Sequence, residues 1–98
     1  MAGHLVKLAI RKVRSFDELP AAQQAGMLSN DARFQRFAGM RTLKSDIQVT
    51  ASAAAEFIRV SCGVTSRRDL NTNALAANRF HQLRTDFDAW SGRIPEQR

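Results

Sequence analysis

Ala76, Phe80, Leu83, Phe87 and Trp90 follow one another at intervals of 4, 3, 4 and 3 residues. Residues three and four apart share one face of an α-helix, so these five side chains form a single apolar seam two heptads long. Such a seam must be covered, either by the rest of the chain or by a second molecule. Asn71, Thr72 or Asn73 can cap its start, and Gly92 followed by Pro95 stops it. The rest of the sequence is therefore read first for helices able to cover it.

Three further helical patterns precede the seam. In "FDELPAAQQAGML", two acids and a proline mark a helix start, and Leu19, Ala22, Ala25 and Leu28 form its apolar positions. Gly26 weakens that helix and predicts a short one. "SNDARFQRFAGM" begins a second helix, capped by Ser29, Asn30 or Asp31, with Phe34, Phe37 and Ala38 inward and Gly39 as its expected end. Residues 40–50 then read as a loop. "TASAAAEFIRVSCG" is a third helix, capped by Thr50 or Ser52 and closed by a left-handed Gly63. Its inward stripe is Ala54, Phe57, Ile58 and the Ser61–Cys62 pair.

Residues 5–13, "LVKLAIRKV", fit two periods. With period two, Val6, Leu8 and Ile10 share a face; with period 3.6, Val6, Ala9, Ile10 and Val13 do. A strand would need a partner, and "DIQVT" at 46–50 is the candidate. The expected fold is a mainly α, compact bundle of about four helices in one domain, 1–98. Residues 1–14 form a basic arm, either helix or half of a short β-ribbon with 46–50.

Charge narrows the function classes. Fifteen basic residues face nine acidic ones, for a net +6, and twelve of the fifteen are arginine. The excess is uneven: +4 over residues 1–14, −3 over 15–32, +5 over 33–68 and zero over 69–98. Arginine presents a rigid fork of donors suited to phosphate and carboxylate. The expected partner is accordingly the phosphate backbone of a nucleic acid, or an acidic protein surface. No apolar run of about 18 residues predicts a membrane span, and Lys7 and Arg11 interrupt any signal-peptide core. Cys62 stands alone, which excludes an internal disulfide and fits a cytoplasmic protein, with the thiol a small buried hydrophobe.

Enzymatic chemistry finds little support. His4 and His81 have no metal-ligand spacing with each other or with Cys62, so neither a metal nor a cofactor is expected. No glycine-rich phosphate loop occurs. Asp86 and Asp88 point to different sides of a helix and make a poor carboxylate pair. Ser61, Cys62 and His81 show no spacing that selects a nucleophile set.

Between the last two helices lies "SCGVTSRRDLNTN", residues 61–73. A glycine turn, Ser66 as a cap with Asp69 three residues on, and the exposed pair Arg67–Arg68 suggest a helix-turn-helix. The seam argues otherwise. Stepping back from Ala76 lands on Asn73 and Asp69, both polar, so the long helix begins only after "NTN". Residues 66–70 are then one isolated turn, with Leu70 turned inward. Such a corner can hold an anion but offers little to read base edges. The expected nucleic-acid contacts are Arg59, Arg67 and Arg68, with Lys7, Arg11, Lys12 and Arg14 from the arm.

A second surface is expected near the end of the seam. Asp86, Phe87 and Trp90 could meet a basic patch on a partner protein, or the seam could complete a homodimer. Arg84 is expected to pair with Asp88, and Arg93 to assist Asp86.

The runs "LPAAQQAGML", "DARFQRFA", "SAAAEFIRVSCGVTSRRDLNTN" and "LRTDFDAW" resemble small accessory proteins of temperate phages and prophages of proteobacteria. The likeness covers residues 18–93 and carries no catalytic or ligand residues. It implies an accessory role in phage or host nucleic-acid processing, including inhibition of a host defence or recombination enzyme.

Overall fold

In the computed structural model, which describes residues 16–92, the expected starts of the last three helices each resolve to one capping side chain. Helix α1 spans Ala21–Ser29, α2 Ala32–Leu43, α3 Ala51–Cys62 and α4 Ala74–Trp90. Asp31 Oδ1 accepts the Arg33 and Phe34 amides of α2. Thr50 Oγ1 accepts from Ala53 in α3, and Asn73 Oδ1 from Ala76 in α4. Each cap satisfies amides that a helix start leaves without partners. A 3₁₀ turn, Phe16–Glu18, precedes α1, and a second, Arg67–Asn71, joins α3 to α4.

Gly63 closes α3 as the sequence predicts. It adopts φ 75°, and its amide and that of Val64 return to the carbonyls of Val60 and Arg59. This is the Schellman arrangement, and Val64 packs against the core behind it.

The helices enclose one core. Ala25 and Leu28 from α1, Phe34, Phe37 and Ala38 from α2, and Ala54, Ile58 and Cys62 from α3 meet Ala76, Phe80, Leu83 and Phe87 of α4. The α4 seam thus faces the chain's own core over four of its five positions. Trp90, the fifth, stands 41% exposed at the rim. Leu70 enters the same core from the second 3₁₀ turn, 1% exposed.

Two expectations for the middle of the chain are corrected. Among the described residues no strand occurs, and residues 46–50 form no ladder. Their polar groups go to α2 instead. The Val49 amide donates to the Gln35 carbonyl at 3.3 Å, and Gln48 Nε2 donates to Gln35 Oε1 at 2.7 Å. The segment proposed as the other half of a ribbon, 5–13, lies outside the described residues. The second correction concerns Gly39, which does not end its helix. α2 continues to Leu43 and is closed by Lys44 at φ 58°.

Gly39 is there for close approach. A Cβ at this position would lie 1.9 Å from the Ile47 carbonyl oxygen, where the segment after α2 crosses back over the helix. Gly39→Ala is therefore expected to destabilise the fold by about 1–3 kcal/mol, the range for overpacking a filled site. Alanine's better helix propensity, about 1 kcal/mol, offsets part of this. Thermal unfolding should show a fall of about 4–8 °C per kcal/mol in a domain of this size. An unchanged midpoint would mean that the crossing segment shifts without cost.

Candidate functional site

The corner between α3 and α4 is built on α1. Leu70 is buried beneath it, and Asn71 Oδ1 accepts the Ala22 amide at 3.0 Å, capping a helix 49 residues earlier in the chain. α1 needs that cap because Pro20, at its own N-cap position, supplies no side-chain acceptor. Ser66 heads the turn, but its side chain forms no capping bond, so the expected capping box is absent. Its carbonyl accepts the Asp69 amide instead, closing the 3₁₀ turn. The long helix starts after "NTN", and the intervening turn is too short and too firmly docked to act as a recognition helix.

Arg67 lies against this platform. A Cβ on Gly26 would come within 2.9 Å of Arg67 Nη1 and 3.1 Å of its Cζ, so the guanidinium rests on bare α1 backbone. Arg67 and Arg59 together line a small cleft floored by Ala25, Ile58 and Leu70. The two differ in their partners. Arg59 Nη2 forms an ion pair with Glu56 Oε1 at 2.7 Å. Arg67 and Arg68 are exposed, and neither forms an ion pair with a described carboxylate.

Sequence reasoning missed Arg79. Its Nη1 lies 2.8 Å from where a Cβ on Gly63 would stand, so it covers the C-terminal end of α3. A cation is favoured there by the helix dipole. No local pattern signals this placement, since it depends on how α4 passes the α3 cap. The corner then holds three arginines without a described carboxylate partner, against one acid of its own, Asp69. The arm residues Lys7, Arg11, Lys12 and Arg14 lie outside the described residues.

The predicted partner surface at the end of α4 divides. Phe87 is 1% exposed and belongs to the core, so it offers no contact surface. Trp90 stacks on Phe87 at 6.3 Å and lies tilted against Phe37 at 5.6 Å while keeping part of its ring in solvent. Asp86 is engaged within the chain: it faces Arg41 of α2 at 3.5 Å and accepts from Gln82 Nε2 at 3.0 Å. Arg84 pairs outside its own helix. It reaches Asp17 of the first 3₁₀ turn, with its guanidinium 5.0 Å from the Phe16 ring centroid. Arg93 lies outside the described residues.

Ser61, Cys62 and His81 are not brought together. Ser61 borders a shallow recess with Arg41 and Arg79, whereas His81 borders another with Asp17 and Arg84. Cys62 is 1% exposed between them in the core. Burial pushes its thiol up, with the charge of Arg79 acting in the opposite sense. Among the described residues no group of three or more His, Cys, Asp or Glu side chains could hold a metal ion. No described helix is long and apolar enough to cross a membrane.

No known protein family, characterised protein or solved structure matches this chain. The functional reading therefore rests on the corner itself.

The state of Cys62 can be measured. In the folded protein it is expected to react with a thiol reagent at mildly alkaline pH far more slowly than in the chain unfolded by denaturant. Because the folded thiol titrates above its ordinary value, this site favours folding fully below that value and loses the benefit as pH rises through the folded value. Equal reaction rates in the folded and unfolded chain would contradict the burial.

Proposed function

We propose that the protein is a non-enzymatic, nucleic-acid-binding accessory protein of the phage type that its sequence resembles. It contacts phosphates through the arginines of the α3–α4 corner. The observation that carries the reading is Arg67, a guanidinium resting on Gly26 and without a described carboxylate partner, beside the equally exposed Arg68. A cation already oriented by packing loses less freedom on binding than one at the end of a loose side chain. Arg79 adds charge across Gly63, and Arg59 can join by exchanging Glu56 for a phosphate. Lys7, Arg11, Lys12 and Arg14 add sequence-independent attraction from the arm.

Such a surface binds backbone and does not discriminate bases, because a five-residue turn presents no helix face to a groove. The protein would work in the cytoplasm, where nucleic acid is its partner. A titration of binding to mixed-sequence duplex against salt tests the proposal. Each phosphate neutralised contributes about −0.9 to the log–log slope. Replacing Arg67 and Arg68 by alanine is expected to flatten that slope by about one to two units with the fold intact. Binding that ignores salt, or no binding to duplex or single strands, would refute the reading.

A second reading is favoured by Trp90, a large aromatic left 41% exposed at the end of α4. The protein would then dock on a host nucleic-acid-processing or defence enzyme through the end of α4. Trp90→Ala should abolish capture of that enzyme while far-UV circular dichroism and the thermal midpoint hold. Loss of the fold in that variant would make Trp90 a core residue and remove the support.

A further inference from the structure

One edge of α4 carries charge where the seam beside it carries apolar side chains. Arg79, Asp86 and Trp90 stand at i, i+7 and i+11, so they share one stripe of the helix. At 1.5 Å per residue that stripe is about 16 Å long. It begins at the α3–α4 corner, where Arg79 covers Gly63. It continues into the shallow recess that Arg79, Asp86, Arg41 and Ser61 line together. It ends at Trp90, whose ring is partly in solvent.

Arg41 links the recess to that ring. Its guanidinium lies 4.8 Å from the centroid of Phe37, the same ring that Trp90 meets at 5.6 Å. Its ion pair with Asp86, at 3.5 Å, is exposed and is the longest among the described residues. Such a pair holds its arginine weakly, so a phosphate can replace the carboxylate. Arg79 has no described carboxylate to give up. The recess thus offers two guanidiniums and the exposed Ser61 hydroxyl, with an aromatic ring one turn of α4 beyond Asp86. Phosphate contact alone has no use for the indole. In a duplex the faces of the bases are covered by their neighbours, whereas a single strand can lay a base on an aromatic ring.

We infer that this stripe is a track for single-stranded nucleic acid, with phosphates at Arg79 and Arg41 and a base stacked on Trp90. The inference rests on the nucleic-acid reading and names the form of its ligand. The strand leaves the corner and follows α4 to its end. Stacking of this kind tolerates any sequence, as phosphate contact does.

Trp90 is the only tryptophan of a chain without tyrosine, so intrinsic emission reports on this ring. The test titrates the full chain, at low salt, with an oligothymidylate and with a mixed-sequence duplex closed by hairpins at both ends. Binding is followed in parallel by the anisotropy of a labelled strand. The expected result is strong quenching of Trp90 by the single strand and unchanged emission when the duplex is bound. Trp90→Ala should weaken single-strand binding by about 5- to 100-fold and leave duplex binding as it was, while Trp90→Phe keeps most of the affinity. Asp86→Asn retains an acceptor for Gln82 and releases Arg41, so it should tighten single-strand binding several-fold. That variant tests the track even if Trp90→Ala fails to fold. Single-strand binding that leaves Trp90 emission unchanged and ignores Asp86→Asn would overturn the inference. If such binding still required Arg67 and Arg68, the corner reading would stand without the track. Emission that no nucleic acid changes would leave the indole to a protein partner and overturn the inference equally.

Discussion

Everything in this fold hangs on the contact of Phe34 and Phe37 with Phe87. The ring of Phe87 lies edge-on to Phe34 at 5.1 Å and tilted against Phe37 at 5.4 Å, tying α4 to α2. Phe57 of α3 touches both α2 rings, at 6.0 and 6.1 Å. Burying one such ring stabilises a fold by about 1.5–3 kcal/mol, and each well-placed ring pair adds about 0.5–1.5 kcal/mol. In a domain with a single core these terms dominate, and the exposed ion pairs around them are minor. The aromatic cluster fixes where α4 runs, and therefore where its N-terminus meets the corner and where its far end leaves Trp90.

The corner is rigid for a different reason. It has no helical hydrogen-bond ladder of useful length, so its order comes from what it gives to other elements. Leu70 fills the core, Asn71 caps α1, and Arg67 lies on Gly26. All three contacts reach back to α1 or the core beneath it, which makes the first helix the platform of the last connection. The glycine that weakens α1 is the one that admits the arginine. A side chain at 26 would improve the helix and lift the guanidinium from its seat.

Helix number, most caps and the inward faces were legible in the sequence, because they follow from spacing and from residues within four positions of one another. Asp31, Thr50, Asn73 and Gly63 act where local chemistry puts them. What could not be read is where glycine and arginine serve contacts distant in sequence. Gly39 carries the ordinary signal of a helix end, yet it is demanded by the Ile47 carbonyl crossing above it. Arg84 meets Asp17, 67 residues distant in sequence, because the first 3₁₀ turn folds onto α4. Ser66 and Asp69 have capping-box spacing without the helix such a box requires. At the candidate site, Arg67 and Arg68 were legible as an exposed pair, whereas Arg79 was not, since only the packing of α4 past Gly63 brings it there.

The net charge of +6 is therefore a poor guide to what a partner meets. Arg36, Arg41, Arg59 and Arg84 are each bound to a carboxylate of the same chain. Arg36 and Asp46 show how such pairing works at the surface: their shared hydrogen bond, then their charges, hold the carboxyl below its ordinary range and the guanidinium above its own. That pair is formed above the carboxyl's ordinary value and is lost as pH falls through the depressed one. Such arginines mainly fasten one element to another. The arginines left for a partner are those that packing orients and no described acid pairs with; Arg67 and Arg79 satisfy both conditions around one turn, and the exposed Arg68 satisfies the second. Oriented charge concentrated at one rigid turn holds an anion better than the same charge spread over a surface, because the ordering has been done by folding. The same rigidity limits what can be recognised: a fixed cationic corner fits a phosphate wherever it occurs, and so it binds without choosing a sequence.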